Sequence, residues 1–168
     1  MKVNFKGDKM KVSTNAILYT IALIALGLLG GAFYLQHHLH MLPCPLCIIQ
    51  RYLFLSVAIF ALASAQLPCS LKKIGSGLTT LVAIVGVGVA SWHLWVQAHP
   101  DVSCGIDPLE LVLNKIFLAQ WFPKFFEADG LCTAVHSLFG VSIVQWSFVW
   151  FVIFGISLVY LTVKQWRK

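Results

Sequence analysis

The chain has 168 residues, of which 59% are hydrophobic and 11% charged, a balance too apolar for an ordinary soluble domain. Its formal net charge is +6, and the positions of the lysines and arginines explain that charge without nucleic-acid binding. Four stretches approach the roughly 20 apolar residues that a helix needs to cross a bilayer, and together they leave no room for a separate soluble domain. The expectation is an all-α membrane protein over 1–168, a four-helix bundle in which each span satisfies its own backbone hydrogen bonds.

The first predicted span covers 16–35. Lysines precede it and Gly30-Gly31-Ala32 resembles a cleavage site, but its apolar run exceeds the roughly 7–15 residues of a signal peptide, so an uncleaved anchor is expected. A short loop, 36–47, carries His37, His38, His40 and Pro43 and ends in Cys44-Pro45-Leu46-Cys47. Its brevity makes spans one and two antiparallel neighbours. Span two, 48–67, holds Arg51 near its start. The stretch 68–77 has Lys72, Lys73, Gly75 and Gly77, a loop composition. Span three, 78–97, contains Gly86, Gly88, Ala90 and Ser91, small residues that allow close helix approach, and His93 near its far end.

The long connection, 98–143, is too apolar for disorder, and connections of this length usually have a function. Asp107-Pro108-Leu109-Glu110 reads as a helix start, with Asp107 as N-cap. Leu109, Val112, Leu113, Ile116 and Phe117 then recur at helical spacing. Trp121, Phe122, Phe125 and Phe126 follow around Pro123. Such a short amphipathic helix either lies in the membrane surface or packs on the protein's own spans. Span four covers 144–163.

Basic residues set the orientation. Lys2, Lys6, Lys9, Lys11, Lys72, Lys73, Lys164, Arg167 and Lys168 fall on one side, and Lys115 and Lys124 on the other. Both termini are therefore expected in the cytoplasm. Cys44, Cys47, Cys104 and Cys132 then face the outer, disulfide-permissive compartment, and Cys69 is alone inside.

Two thiols at i and i+3 can close and reopen a disulfide. Arg51, at i+4 from Cys47, shares its helix face, and two unit charges about 6 Å apart at an effective dielectric near 20 attract by about 3 kcal/mol. Cys47 is thus the expected thiolate, and Cys44 the sulfur more accessible to another thiol. A static bridge, or a zinc site completed by His37, His38 or His40, is the alternative. Zinc usually takes four ligands and a second CxxC is absent, so redox chemistry is preferred and no metal is expected. An arginine in lipid is costly unless it snorkels or serves a ligand. His93, at similar depth, is by default a core histidine, and with Arg51 it becomes a candidate for the same ligand. Cys104 and Cys132 bracket the amphipathic segment as a staple or as a second redox pair able to exchange with the first.

Pro43-Cys44-Pro45-Leu46-Cys47-Ile48-Ile49-Gln50-Arg51 after span one, with Cys104 and Cys132 before span four, resembles the DsbB family of bacterial inner-membrane disulfide bond formation proteins. The resemblance covers nearly the whole chain. It implies a periplasmic Cys104–Cys132 disulfide attacked by a reduced DsbA-like oxidase, with Cys104 forming the mixed disulfide and Cys132 exchanging with Cys44. It further implies electrons passed from Cys47 to a quinone, ubiquinone or menaquinone, beside Arg51 and His93. The stretch from His93 to Cys104 is slightly shorter than in the best-known member, and the His37/His38/His40 cluster is not a hallmark of the family. A vitamin K epoxide reductase type of oxidase, the nearest rival, carries its CxxC on the last span of its core.

Overall fold

The computed structural model describes residues 5–39, 41–99, 101, 106–128, 130–138 and 140–167, with the backbone alone at 5–13, 69, 70 and 106–108. The elements are α1 (Phe5–Leu39), α2 (Pro45–Gln66), α3 (Cys69–Ala98), α4 (Ile106–Asn114), α5 (Phe117–Trp121), α6 (Pro123–Phe126), the strands β1 (Ser137–Leu138) and β2 (Val141–Ser142), and α7 (Ile143–Trp166). Four segments are long and apolar enough to cross a membrane: Thr14–Leu39, Pro45–Gln66, Leu71–Ala98 and Ile143–Trp166. The all-α four-helix architecture is as expected, with each helix running past its apolar window.

The extension of α3 corrects the predicted loop at 68–77. The chain turns only at Leu67 and Pro68, and α3 already begins at Cys69. The residues that looked like a loop are a packing face. A Cβ at Gly75 would run into the Ser64 side chain on α2. Lys72 is buried and donates to Asn15 Oδ1 at 2.6 Å and to the Ala65 carbonyl at 3.2 Å.

The long helices pack in the order α1–α2–α3–α7, with extended interfaces between successive members. Their core joins Leu18, Ala22 and Ala25 of α1, Phe54, Val57 and Ala61 of α2, Ala83 and Ala90 of α3, and Phe151, Phe154 and Leu158 of α7. Small side chains let the backbones close up, since lipid provides no hydrophobic drive for helix association. Gly86 takes the Phe151 ring, which stacks on Phe54 at 4.0 Å between centroids. Gly88 has open space beside it and Ser91 is exposed, so only Gly86 and Ala90 serve the expected close approach.

In the long connection the single expected helix is broken. Helical backbone starts at Ile106, ahead of the proposed Asp107 cap, whose side chain lies outside the described residues. An extended Ile116 (φ −67°, ψ 138°) then separates α4 from α5. That break divides the apolar stripe. Leu113 is buried and packs with Ile48, Ala119, Phe126 and Ala128, whereas Val112 and Phe117 are each 62% exposed. Leu111, Trp121 and Phe122 are exposed with them. One side of the segment therefore packs on the bundle, as the second reading of the amphipathic pattern expects, while the other presents aromatic and aliphatic groups outward. A two-residue hairpin turning at Gly140 (φ +80°) then leads into α7, capped by a Ser142/Gln145 capping box.

Candidate active site

Cys44 is the N-cap of α2, with extended backbone (φ −77°, ψ 162°) and Sγ accepting the Cys47 N–H at 3.2 Å. Pro45, which lacks the N–H that would go unpaired there, takes the first turn. The helix thus starts three residues before the predicted span, and Cys47 sits in its first turn, at the positive end of the helix dipole. Both cysteines are free thiols.

Exposure is the reverse of the expectation. Cys44 is only 2% exposed, whereas Cys47 is partly exposed. The cover over Cys44 comes from the end of the long connection. Gly130 N donates to the Pro43 carbonyl at 3.1 Å, and any side chain at 130 would strike the Leu42 carbonyl. Asn114 fastens the same loop, accepting from Ala128 N at 3.0 Å and donating to Ala128 O at 3.4 Å. Cys132, buried and disulfide-bonded, consequently packs in one cluster with Cys44, Leu46 and Val96, with Cys47 at its edge. Cys104 lies outside the described residues. So does the Cys69 side chain, which belongs to the opposite end of the bundle.

His93, 1% exposed, stands behind Cys44. Its Nε2 is 3.5 Å from Cys44 Sγ, and its Nδ1 is 3.0 Å from Nε2 of the buried Gln50. With the Gln50 amide as donor, Nδ1 accepts and the ring proton sits on Nε2, directed at the sulfur. The same ring interacts with the Cys132 backbone. The Cys44 thiol is pushed far above the ordinary thiol range, first by its hydrogen bond with the Cys47 side chain, then by burial and the charge on Cys47. Of the two sulfurs, Cys44 is the one that keeps its proton.

Arg51 Nη1 donates to Gln36 Oε1 at 2.7 Å and to the Phe125 carbonyl at 2.6 Å. Both acceptors are neutral, so neither cancels its charge, and the guanidinium interacts electrostatically with Cys47. Gln36 Nε2 in turn donates to the Lys124 carbonyl at 3.0 Å. The 123–126 segment is held by ring stacking, Phe125 on Phe33 at 3.8 Å and Phe126 on Tyr52 at 4.7 Å.

A cavity of about 430 Å³ lies between α1, α2 and α7. Its walls are mostly apolar, including Leu28, Ala32, Phe54 and Trp150, with Gln36, Cys47, Gln50, Arg51, Gln97, His136 and Ser147 among the polar and ionisable groups. The volume falls in the range of small-molecule sites. Arg51 and Cys47 therefore face one space. His93 does not line it; the ring lies behind Gln50, which does. His37 and His38 are exposed in the last turn of α1, stacked near Phe33 and Tyr34, and His40 lies outside the described residues. Among the described residues, the cysteine–histidine cluster is Cys44, Cys47 and His93 instead.

Three residues that matter here were not singled out from the sequence: Gln36, Gln50 and Asn114. The two glutamines carried a signal, since polar amides at the ends of apolar runs need buried partners. Asn114 carried none without the fold.

A buried dithiol at a helix start, a disulfide-bonded cysteine packed against it and four membrane-length helices together define a membrane protein of thiol–disulfide chemistry. The family profile of disulfide bond formation protein DsbB matches residues 14–161. Disulfide bond formation protein B of Herminiimonas arsenicoxydans is 44% identical over 154 residues, covering 91% of this chain and 98% of that protein. The protein of the same name from Ralstonia nicotianae is 41% identical over 160 residues, 95% of this chain and 100% of its own. Disulfide bond formation protein B 1 of Pseudomonas syringae is 39% identical over 153 residues, 90% of each chain. The chain belongs to the DsbB family, and its homologues imply disulfide oxidoreductase activity.

Proposed function

We propose that the protein reoxidises a periplasmic DsbA-like thiol oxidase and passes the electrons to a membrane quinone. The observation that carries this reading is the shared cavity: Cys47 and Arg51 open onto one apolar space, with Cys44 and Cys132 packed directly behind. In this reading both termini are cytoplasmic and the cysteine end faces the periplasm of the bacterial inner membrane.

The partner's two thiols become a disulfide as Cys104–Cys132 is reduced. With the first pair oxidised, Cys132 attacks the Cys44 sulfur of the Cys44–Cys47 disulfide, breaking that bond and releasing Cys47 as the thiolate; Cys104 then attacks Cys132, displacing Cys44, so that Cys104–Cys132 closes and both electrons rest on the Cys44/Cys47 pair. His93 Nε2 stands 3.5 Å from the Cys44 sulfur, which must be attacked and later released, and with the Gln50 amide as donor to Nδ1 the ring proton sits on Nε2. Bound in the cavity, ubiquinone or menaquinone supplies an acceptor for two electrons and two protons. Arg51 stabilises negative charge on Cys47 and on an oxygen held beside it, and the apolar walls exclude water.

The test is purified protein in detergent with a reduced DsbA-like partner and each quinone, followed by quinone absorbance. Cys47→Ser should abolish quinone reduction while the partner still forms a mixed disulfide with Cys104. Arg51→Leu should raise the quinone concentration needed at half-maximal rate. Quinone reduction by the Cys47→Ser protein at the normal rate would refute the electron path.

A further inference from the structure

The ligating atoms of Cys44, Cys47 and His93 all lie within 4.8 Å of one another, and the Cys44 Sγ to His93 Nε2 separation is 3.5 Å. In a tetrahedral zinc site, with Zn–S near 2.3 Å and Zn–N near 2.0 Å, a sulfur and a nitrogen ligand stand about 3.6 Å apart. That edge of the tetrahedron is already built. The Cys47 N–H donates to Cys44 Sγ, which supports negative charge on the sulfur. Gln50 holds the other ring nitrogen of His93, the kind of outer contact that orients a metal-binding imidazole. Turned over, the same amide presents its oxygen and accepts a hydrogen bond from Nδ1–H, leaving the Nε2 lone pair free to bind. Two thiolates and an imidazole are donors suited to zinc and its softer relatives.

We propose that the reduced Cys44/Cys47 pair forms, with His93, a three-ligand site for a thiophilic divalent cation, zinc, and that occupation of this site holds the protein reduced and inactive. The two thiols release two protons, each sulfur forms one bond to the ion, and His93 Nε2 contributes its lone pair. No electrons move, so no oxidant or reductant is consumed. A sulfur pair bound in this way cannot close to the Cys44–Cys47 disulfide, and the closed disulfide has no thiolate to offer. Metal and oxidation therefore compete for the same two atoms. The site requires only its three donors and is independent of which acceptor takes the electrons.

The experiment uses the full-length chain with Cys69→Ser, Cys104→Ser and Cys132→Ser, so that Cys44 and Cys47 are its only cysteines. Cadmium, read by its sulfur-to-metal charge-transfer band, and zinc, read by competition, are titrated into reduced and oxidised protein. One equivalent should bind to the reduced protein and none to the oxidised, and Cys47→Ser should abolish binding. His93→Phe should weaken binding at least tenfold. Unchanged affinity in His93→Phe would make the site a plain dithiol chelate and overturn the assignment. Should that variant fail to fold, X-ray absorption on the zinc-loaded wild-type protein decides: two sulfurs and an imidazole in the shell support the site, and a shell without imidazole overturns it.

Discussion

Gln36→Leu isolates the support of Arg51 without touching a sulfur. It removes the acceptor 2.7 Å from Arg51 Nη1 and the 3.0 Å bond from Gln36 to the Lys124 carbonyl, leaving the Phe125 carbonyl at 2.6 Å as the remaining anchor. A hydrogen bond to a charged group contributes about 1.5–3 kcal/mol. If relaxation toward Phe125 recovers half of that, about 0.8–1.5 kcal/mol is lost from the position of the guanidinium, which corresponds to about a four- to twelvefold change in affinity for what Arg51 holds. The apparent KM for quinone should rise by the same factor in the coupled assay with reduced partner, while formation of the Cys104 mixed disulfide keeps its rate. Gln36→Glu separates position from charge, because a carboxylate holds the guanidinium at least as firmly but cancels its charge. It should therefore impair quinone use as much as Gln36→Leu. A KM within twofold of wild type for Gln36→Leu, in protein of normal thermal stability, would remove Gln36 from the site. A fully active Gln36→Glu would show that the free charge of Arg51 is not what the cavity uses.

Gly130→Ala should push the covering loop off Leu42 and Pro43 and lower the trapped yield of a Cys44–Cys132 disulfide several-fold on non-reducing gels; an unchanged yield would mean that the loop tolerates the side chain without moving Cys132. Gly86→Ala should lower stability in detergent by about 1–3 kcal/mol, the usual cost of overpacking, because Phe151 is already stacked on Phe54 and cannot give way. Gly88→Ala, which meets open space, is the control and should leave the melting temperature unaltered. A brief maleimide pulse on reduced protein, read by mass spectrometry, should label Cys47 well before Cys44. Since the Cys44 thiol lies above the ordinary value of 9.0, raising the pH to about 9 should leave its labelling slow, and equal labelling of the two sulfurs at that pH would contradict the buried, protonated Cys44.

What the sequence disclosed depended on the range of the interaction. The four helices were legible because lipid imposes one requirement, length with apolarity, that each segment meets on its own. The CxxC with Arg51 was legible because helical periodicity puts both on one face within two turns. The errors arose where a residue's role is set by a distant segment. Gly75 and Lys72 read as a loop until Ser64, Ala65 and Asn15 are seen to receive them. Cys44 read as the open sulfur because its cover, Gly130 to Cys132, is more than eighty residues away in the chain. The same loop closure brings Cys132 onto Cys44, so the burial of Cys44 and the packing of Cys132 against it have one cause. Separating them should be impossible: any substitution that exposes Cys44 by lifting the 128–132 loop must also slow its exchange with Cys132, whatever it does at the cavity behind Cys47.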